Sequence, residues 1–165
     1  MQSQQAWAIP SYITILTSRG TYLDHFGWGD QLQPDPLRQR HFRSGVNDCY
    51  SLVRHAYHKA FNVVLPDGPR AMDWWDDPQA ENPITSNLTK AGFHPVAQDE
   101  IRQGDCVTFA IRQGVVSHCG VYIGHSLFLH HLHGRLSKVD PLPYWRRFMH
   151  SVVRYAPGAQ HEERQ

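Results

Sequence analysis

The feature that most constrains this chain is a switch in the period of its apolar residues. From Cys49 to Phe61 they fall at helical spacing: Cys49, Val53, Ala56 and Ala60, widened by Leu52 and Tyr57. Beyond Gly104 the period drops to two. "GDCVTFAI" sets Val107, Phe109 and Ile111 against Cys106, Thr108 and Ala110; "SHCGVYIG" sets His118, Gly120 and Tyr122 against Cys119, Val121 and Ile123. "SLFLHHL" and "HSVVRYA" are two further strand segments, with turns at Gly114 and Gly124–His125. A helix followed by a run of antiparallel strands predicts an α+β domain.

Elsewhere the local signals are weaker. "YITIL" reads as a short strand, and "WGDQLQPDPLRQR" as a loop broken by Pro34 and Pro36. Asp48 is a good N-cap, which makes Cys49 the first helical residue, pointing inward. Prolines 66, 69, 78 and 83 with Gly68 make the next stretch a loop, with room for one helical turn around Trp74. A shorter helix is predicted from Thr85 to Ala91, stopped by Gly92.

The chain's 165 residues suffice to bury roughly two-thirds of the unfolded surface. A formal charge of +1 and scattered basic residues argue against a nucleic-acid partner. No apolar run approaches the roughly 20 residues needed to cross a bilayer, so membrane insertion is not expected. The N-terminal stretch lacks a basic start followed by an apolar core, so no secretory signal is expected either. Three cysteines are too few for a disulfide framework and fit synthesis in a reducing compartment. Of 12 histidines, five crowd between His118 and His133.

Taken alone, Cys49 reads first as core filler, since free cysteine is often buried. Its place at a helix start adds a chemical reading, because unpaired N–H groups and the dipole favour the thiolate. On that reading the thiol alkylates well below pH 8. A nucleophilic thiol also needs a base held by a third group. His118 opens a predicted strand and fits the first role, and His130 on the next strand fits the second. His130 would act while neutral, by a hydrogen bond rather than by charge. The charge of Asp48 opposes the thiolate.

"NDCYSLVRHAY", "GDCVTFA", "SHCGVYIG" and "LFLHHLHG" together resemble the NlpC/P60 family of cysteine peptidases, and within it the tail assembly members of lambda-like phages. "LPD", "WW", "AGFHPV" and "HHLHGRLS" extend the likeness, which runs from about residue 40 to 156. The resemblance implies a papain-like α+β fold, with the nucleophile at the N-terminus of a helix packed on an antiparallel sheet. It implies hydrolysis of peptide bonds in bacterial cell-wall peptidoglycan, typically of the D-glutamyl–diaminopimelate type. Cys49 then corresponds to the nucleophile, His118 to the base and His130 to the third residue. Strand parity favours His130 over its neighbour His131, although the choice stays open. Two departures stand out: Tyr50–Ser51 replaces the usual Ser-Gly, and no tyrosine precedes the cysteine in "RQRHFRSGVND".

The resemblance divides the chain into an extension (1–39), a peptidase domain (40–157) and a polar tail (158–165). It implies synthesis in a host cytoplasm, a place in the phage tail and action at the cell wall or periplasm, with peptidoglycan peptides and tail tip proteins as partners. Trp74, Trp75 and Ser117 are candidate substrate contacts. His125, His131 and His133 read as turn or surface residues, and Arg146 and Arg147 as a solvated face. A zinc site from Cys119, His130, His131 and His133 lacks any structural-zinc spacing, so no metal or other cofactor is expected. The competing reading is a structural tail tip or assembly protein whose peptidase site is weak or silent.

Overall fold

A computed structural model describes residues 11–28, 36–68, 70, 81–111 and 114–157. The chain forms two compact units, 1–35 and 36–165. In the first, β1 (Ser11–Leu16) and β2 (Tyr22–Trp28) pair antiparallel. The sequence signalled only the first of them.

In the second unit, α1 (Cys49–Phe61) and α2 (Pro83–Lys90) precede six strands: β3 (Phe93–Val96), β4 (Cys106–Phe109), β5 (His118–Gly124), β6 (Leu127–His130), β7 (Lys138–Pro141) and β8 (Met149–Tyr155). They form one antiparallel sheet in the order β3-β8-β4-β5-β6-β7. Strands β4 to β7 follow one another as a meander, and β8 returns to lie between β3 and β4. The edge strands β3 and β7 carry Pro95 and Pro141, which an edge tolerates because it need not donate on both sides.

Both sheet faces are covered. Cys106, Cys119, Val121 and Leu129 pack under α1, whose Leu52, Val53, Ala56 and Tyr57 are buried, together with Ile84 and Leu88 of α2. On the opposite face Val107, Phe109 and Phe128 lie beneath a 3-10 segment, Leu142–Phe148, through Leu142, Trp145 and Phe148. Arg146 and Arg147 of that segment are exposed. Fully burying a side chain of this size contributes about 1.5–3 kcal/mol. No helix of the described residues is long and apolar enough to cross a membrane.

Helix α1 has the predicted limits because Asp48 caps it, accepting from the Ser51 amide at 2.9 Å. Asn62 in the left-handed conformation ends it. Helix α2 starts two residues earlier than the sequence suggests. Pro83, read there as a loop residue, occupies its first turn, where a missing N–H costs nothing, and Asn82 caps it through the amides of Ile84 and Thr85. Trp74 and the helical turn expected around it lie outside the described residues, as does most of the loop expected before Pro36.

The departures at Tyr50 and Ser51 have a structural role. The Tyr50 ring is fully buried; its hydroxyl donates to the Pro66 carbonyl at 3.0 Å, and the Arg70 guanidinium lies 5.0 Å from the ring centre. Ser51 Oγ accepts from Arg70 at 2.9 Å. Arg70 also pairs with Asp48 and Asp67, each at 2.7 Å, and donates to the Gly68 carbonyl at 2.8 Å. Burial would raise the Asp48 carboxyl, but the charge and hydrogen bond of Arg70 and the amides of Ser51 and Gly45 hold it below the usual carboxylate range. Removing the cation leaves the buried Asp48 carboxylate without its counter-charge, while Asp67 keeps Arg54 at 3.1 Å. Arg70→Met is therefore expected to lose about 3–5 kcal/mol in urea unfolding at pH 7. The Asp48 contribution is present above the unfolded carboxyl value and is lost as pH falls through the depressed folded one. The gap between variant and wild type should thus narrow below about pH 4.

Candidate active site

The site forms where the start of α1 meets the start of β5. A cleft of about 250 Å³ there is lined by residues that include Cys49, Ser117, His118, His131, Phe42 and Arg70. Cys49 is 7% exposed and belongs to the α1 face of the sheet, beside Cys119. All three cysteines are free thiols. His118 is paired across the ladder with Phe109, so its ring belongs to the opposite face. Cysteine and histidine share a cleft because His118 is the first residue of its strand, at the rim where both faces are reachable.

His118 Nε2 lies 2.9 Å from His130 Nδ1, which leaves His118 Nδ1 as the nitrogen for the cleft. His130 is opposite Gly120 in the ladder. A β-carbon at position 120 would stand 2.9 Å from that of His130 and 2.7 Å from the Leu129 carbonyl oxygen, so only glycine admits this approach of β6 to β5. The His130 ring is fully buried, stacked on Phe128 at 4.4 Å and met edge-on by Trp145 at 4.7 Å. Its Nε2 lies 3.1 Å from Asp140 Oδ2.

His131 is not a surface residue. It is fully buried, lines the cleft and meets Phe42 edge-on at 5.2 Å. The reason is that β6 ends at His130, and the chain then turns along the cleft, where residues 39 and 40 bond Ser137 through backbone and hydroxyl. His133 is exposed at the cleft margin, and His125 sits exposed in a turn. Ser117 lines the cleft with a buried hydroxyl that has no protein partner. Trp74 and Trp75 lie outside the described residues. Among the described residues no group of three His, Cys, Asp or Glu side chains is placed to hold a metal ion.

Asp140 and Phe42 were not legible as site residues. The available signal for Asp140 was the turn at Gly134, which folds "SKVD" back along "LFLH" and puts the acid beside His130.

The electrostatics differ from the sequence expectation of an activated thiolate. Contact with the Cys119 thiol, burial and the negative charge of Asp48 push the Cys49 thiol well up. Burial, with His130 and His131 nearby, pushes His118 well down. Burial brings His130 down to about 4, against the pull of Asp140. The helix-start effect is outweighed, and the resting site holds a neutral thiol and neutral rings. Cys49 and His118 line the same cleft, the pairing of residue types that a proton transfer from sulfur to imidazole requires.

A helix that begins on a buried cysteine, laid on an antiparallel sheet that supplies to the same cleft an imidazole backed by a second one, defines the papain-like α+β class. Residues 24–154 match the model of the NlpC/P60 family, and the chain belongs to that family. It is 36% identical over 120 residues to the tail tip assembly protein K of Escherichia phage lambda, covering 72% of this chain and 59% of that one. Identity to the tail tip assembly protein K of Escherichia phage N15 is 28% over 121 residues, covering 73% and 49%. The chain thus spans about half to three-fifths of these relatives. An NlpC/P60 family protein of Bacillus cereus matches at 23% identity with a TM-score of 0.46, covering 67% of this chain and 32% of that one.

The raised thiol makes a clear kinetic expectation. Iodoacetamide should modify Cys49 more slowly than free cysteine at about pH 7.5, with a rate still climbing above about pH 9.5, where a free thiol of pKa about 8.5 has levelled off. Peptide mapping by mass spectrometry assigns the modified residue. A plateau at acidic pH would instead reveal a preformed thiolate–imidazolium pair.

Proposed function

We propose that this chain is a thiol peptidase domain that hydrolyses peptide bonds in the stem peptides of bacterial peptidoglycan, of the D-glutamyl–diaminopimelate type. It would act from a phage tail at the cell wall or periplasm after synthesis in the host cytoplasm. The observation that carries the reading is one cleft shared by Cys49 and His118, with His130 hydrogen-bonded behind His118 at 2.9 Å.

The chemistry follows from these atoms. The scissile carbonyl sits over Cys49, and its sulfur attacks the carbon as the thiol proton passes to His118 Nδ1. Negative charge gathers on the carbonyl oxygen, where the Cys49 amide, a helix-start N–H without an intrahelical partner, is a candidate donor. His118 then protonates the leaving amine, the C–N bond breaks and a thioester remains. Water attacks the thioester, giving its proton to His118; the acid leaves and the thiol is restored. The unpartnered Ser117 hydroxyl offers a hydrogen bond to the peptide, and Trp74 and Trp75 are the further substrate contacts of this reading.

A second reading has its own support. The relatives' names describe tail tip assembly, and the closed, protonated thiol suits a fold kept for its surfaces. Digestion of purified peptidoglycan separates the two. The wild type should release stem peptide fragments, and Cys49→Ala should release none above background. Equal release by both would remove the peptidase reading, and phage carrying Cys49→Ala with normal tails and infectivity would support the assembly role alone.

A further inference from the structure

The chain of contacts behind His118 continues past His130. The register of β6 with β7 sets Lys138 opposite His130 and Asp140 opposite Phe128, so Asp140 reaches His130 diagonally. Asp140 Oδ2 lies 3.1 Å from His130 Nε2; it also accepts from the Trp145 indole at 3.2 Å and pairs with Lys138 at 2.9 Å. The groups facing His130 are therefore His118 from β5, Lys138 and Asp140 from β7, Trp145 from the 3-10 segment, and Phe128 and His131 from its own stretch.

Hydrogen-bond capacity fixes the rest. An ionised carboxylate only accepts, so His130 Nε2 must carry the hydrogen. A neutral imidazole has one N–H, so His130 Nδ1 is left as a lone pair and can only accept from His118 Nε2. His118 then carries its hydrogen on Nε2 and presents a bare Nδ1 to the cleft. Without the carboxylate, His130 is free to carry its hydrogen on Nδ1 and donate it to His118. That would move the His118 hydrogen to Nδ1, aim an N–H at the sulfur and remove the base.

We propose that Asp140 is a positioning residue that sets the tautomers of both His130 and His118, with Trp145 holding its carboxylate in place. The proposal rests on the reading of Cys49 and His118 as nucleophile and base.

The test is the imidazole nitrogen spectrum of the full chain, labelled with 15N, together with the rate of stem peptide release. In the wild type at pH 7 both His118 and His130 should be protonated on Nε2; either ring carrying its hydrogen on Nδ1 overturns the proposal outright, whatever the variants do. In Asp140→Ala, His118 should gain Nδ1-protonated tautomer, and kcat should fall about 100-fold with little change in KM. Asp140→Asn, which keeps an acceptor oxygen without the charge, should lose less. An Asp140→Ala protein that melts like wild type, with both rings still wholly Nε2-protonated, would also overturn it. If the wild type releases no peptide at all, the peptidase reading fails while the spectra still decide the tautomers.

Discussion

The carboxylate of Asp48 is the constraint on which the site depends. One oxygen accepts from the Ser51 amide; the other accepts from the Gly45 amide at 2.8 Å and pairs with Arg70. The first bond decides where α1 starts, and so puts Cys49 at the helix end that faces the cleft. The others tie the chain before the helix and the loop after it to the same point. Yet the charge that fixes the sulfur's position also opposes its ionisation. Arg70 neutralises part of that charge, which is a reason for Tyr50 and Ser51 to stand where the family has smaller residues: both hold the guanidinium. Local conflict of this kind, offset by neighbouring structure, is expected at functional sites.

The second constraint is parity. A strand exposes alternate residues to opposite faces, so Cys119 and His118 cannot share one. The α1 face takes Cys119, which touches the Cys49 thiol, and the far face takes His118 and His130 beneath Trp145. Both faces being buried, the rings sit in aromatic surroundings that fix their planes. The cleft joins the faces at the strand's first residue, so one imidazole can work at the rim while its partner stays dry.

Period and capping made the centre of this fold legible: α1 in full, and β4, β5, β6 and β8 to within a few residues. The edge strands β3 and β7 were not, because "FHPV" and "KVDP" are four residues long, contain proline and are too exposed to need apolar alternation. The pairing of His118 with His130 was readable from strand order, since neighbours in a meander are adjacent in space. Asp140 was hidden for the same reason that β7 was. His131 was misread because a polar residue just past a strand looks like a turn, whereas the return of residues 39 and 40 to Ser137 encloses it. The direction of the thiol shift was out of reach, since it depends on Cys119 and on burial, both products of the tertiary fold.

A buried thiol and buried rings that rest neutral are compatible with thiol chemistry. Burial penalises any group that ionises alone, which is why sulfur and ring each resist exchanging a proton with solvent. Passing the proton from Cys49 to His118 leaves the net charge of the cleft unchanged, so that penalty is largely avoided while the low local dielectric strengthens the attraction within the new pair. On the proposed tautomers the imidazolium so formed would donate from Nε2 to His130, whose Nε2 lies 3.1 Å from the Asp140 carboxylate. The second ring is neutral, but it is polarised by a carboxylate behind it, and a hydrogen-bond chain polarised in one direction stabilises positive charge at its far end. A histidine in the third position can in this way do part of what a carboxylate there would do, without placing a full negative charge next to the base.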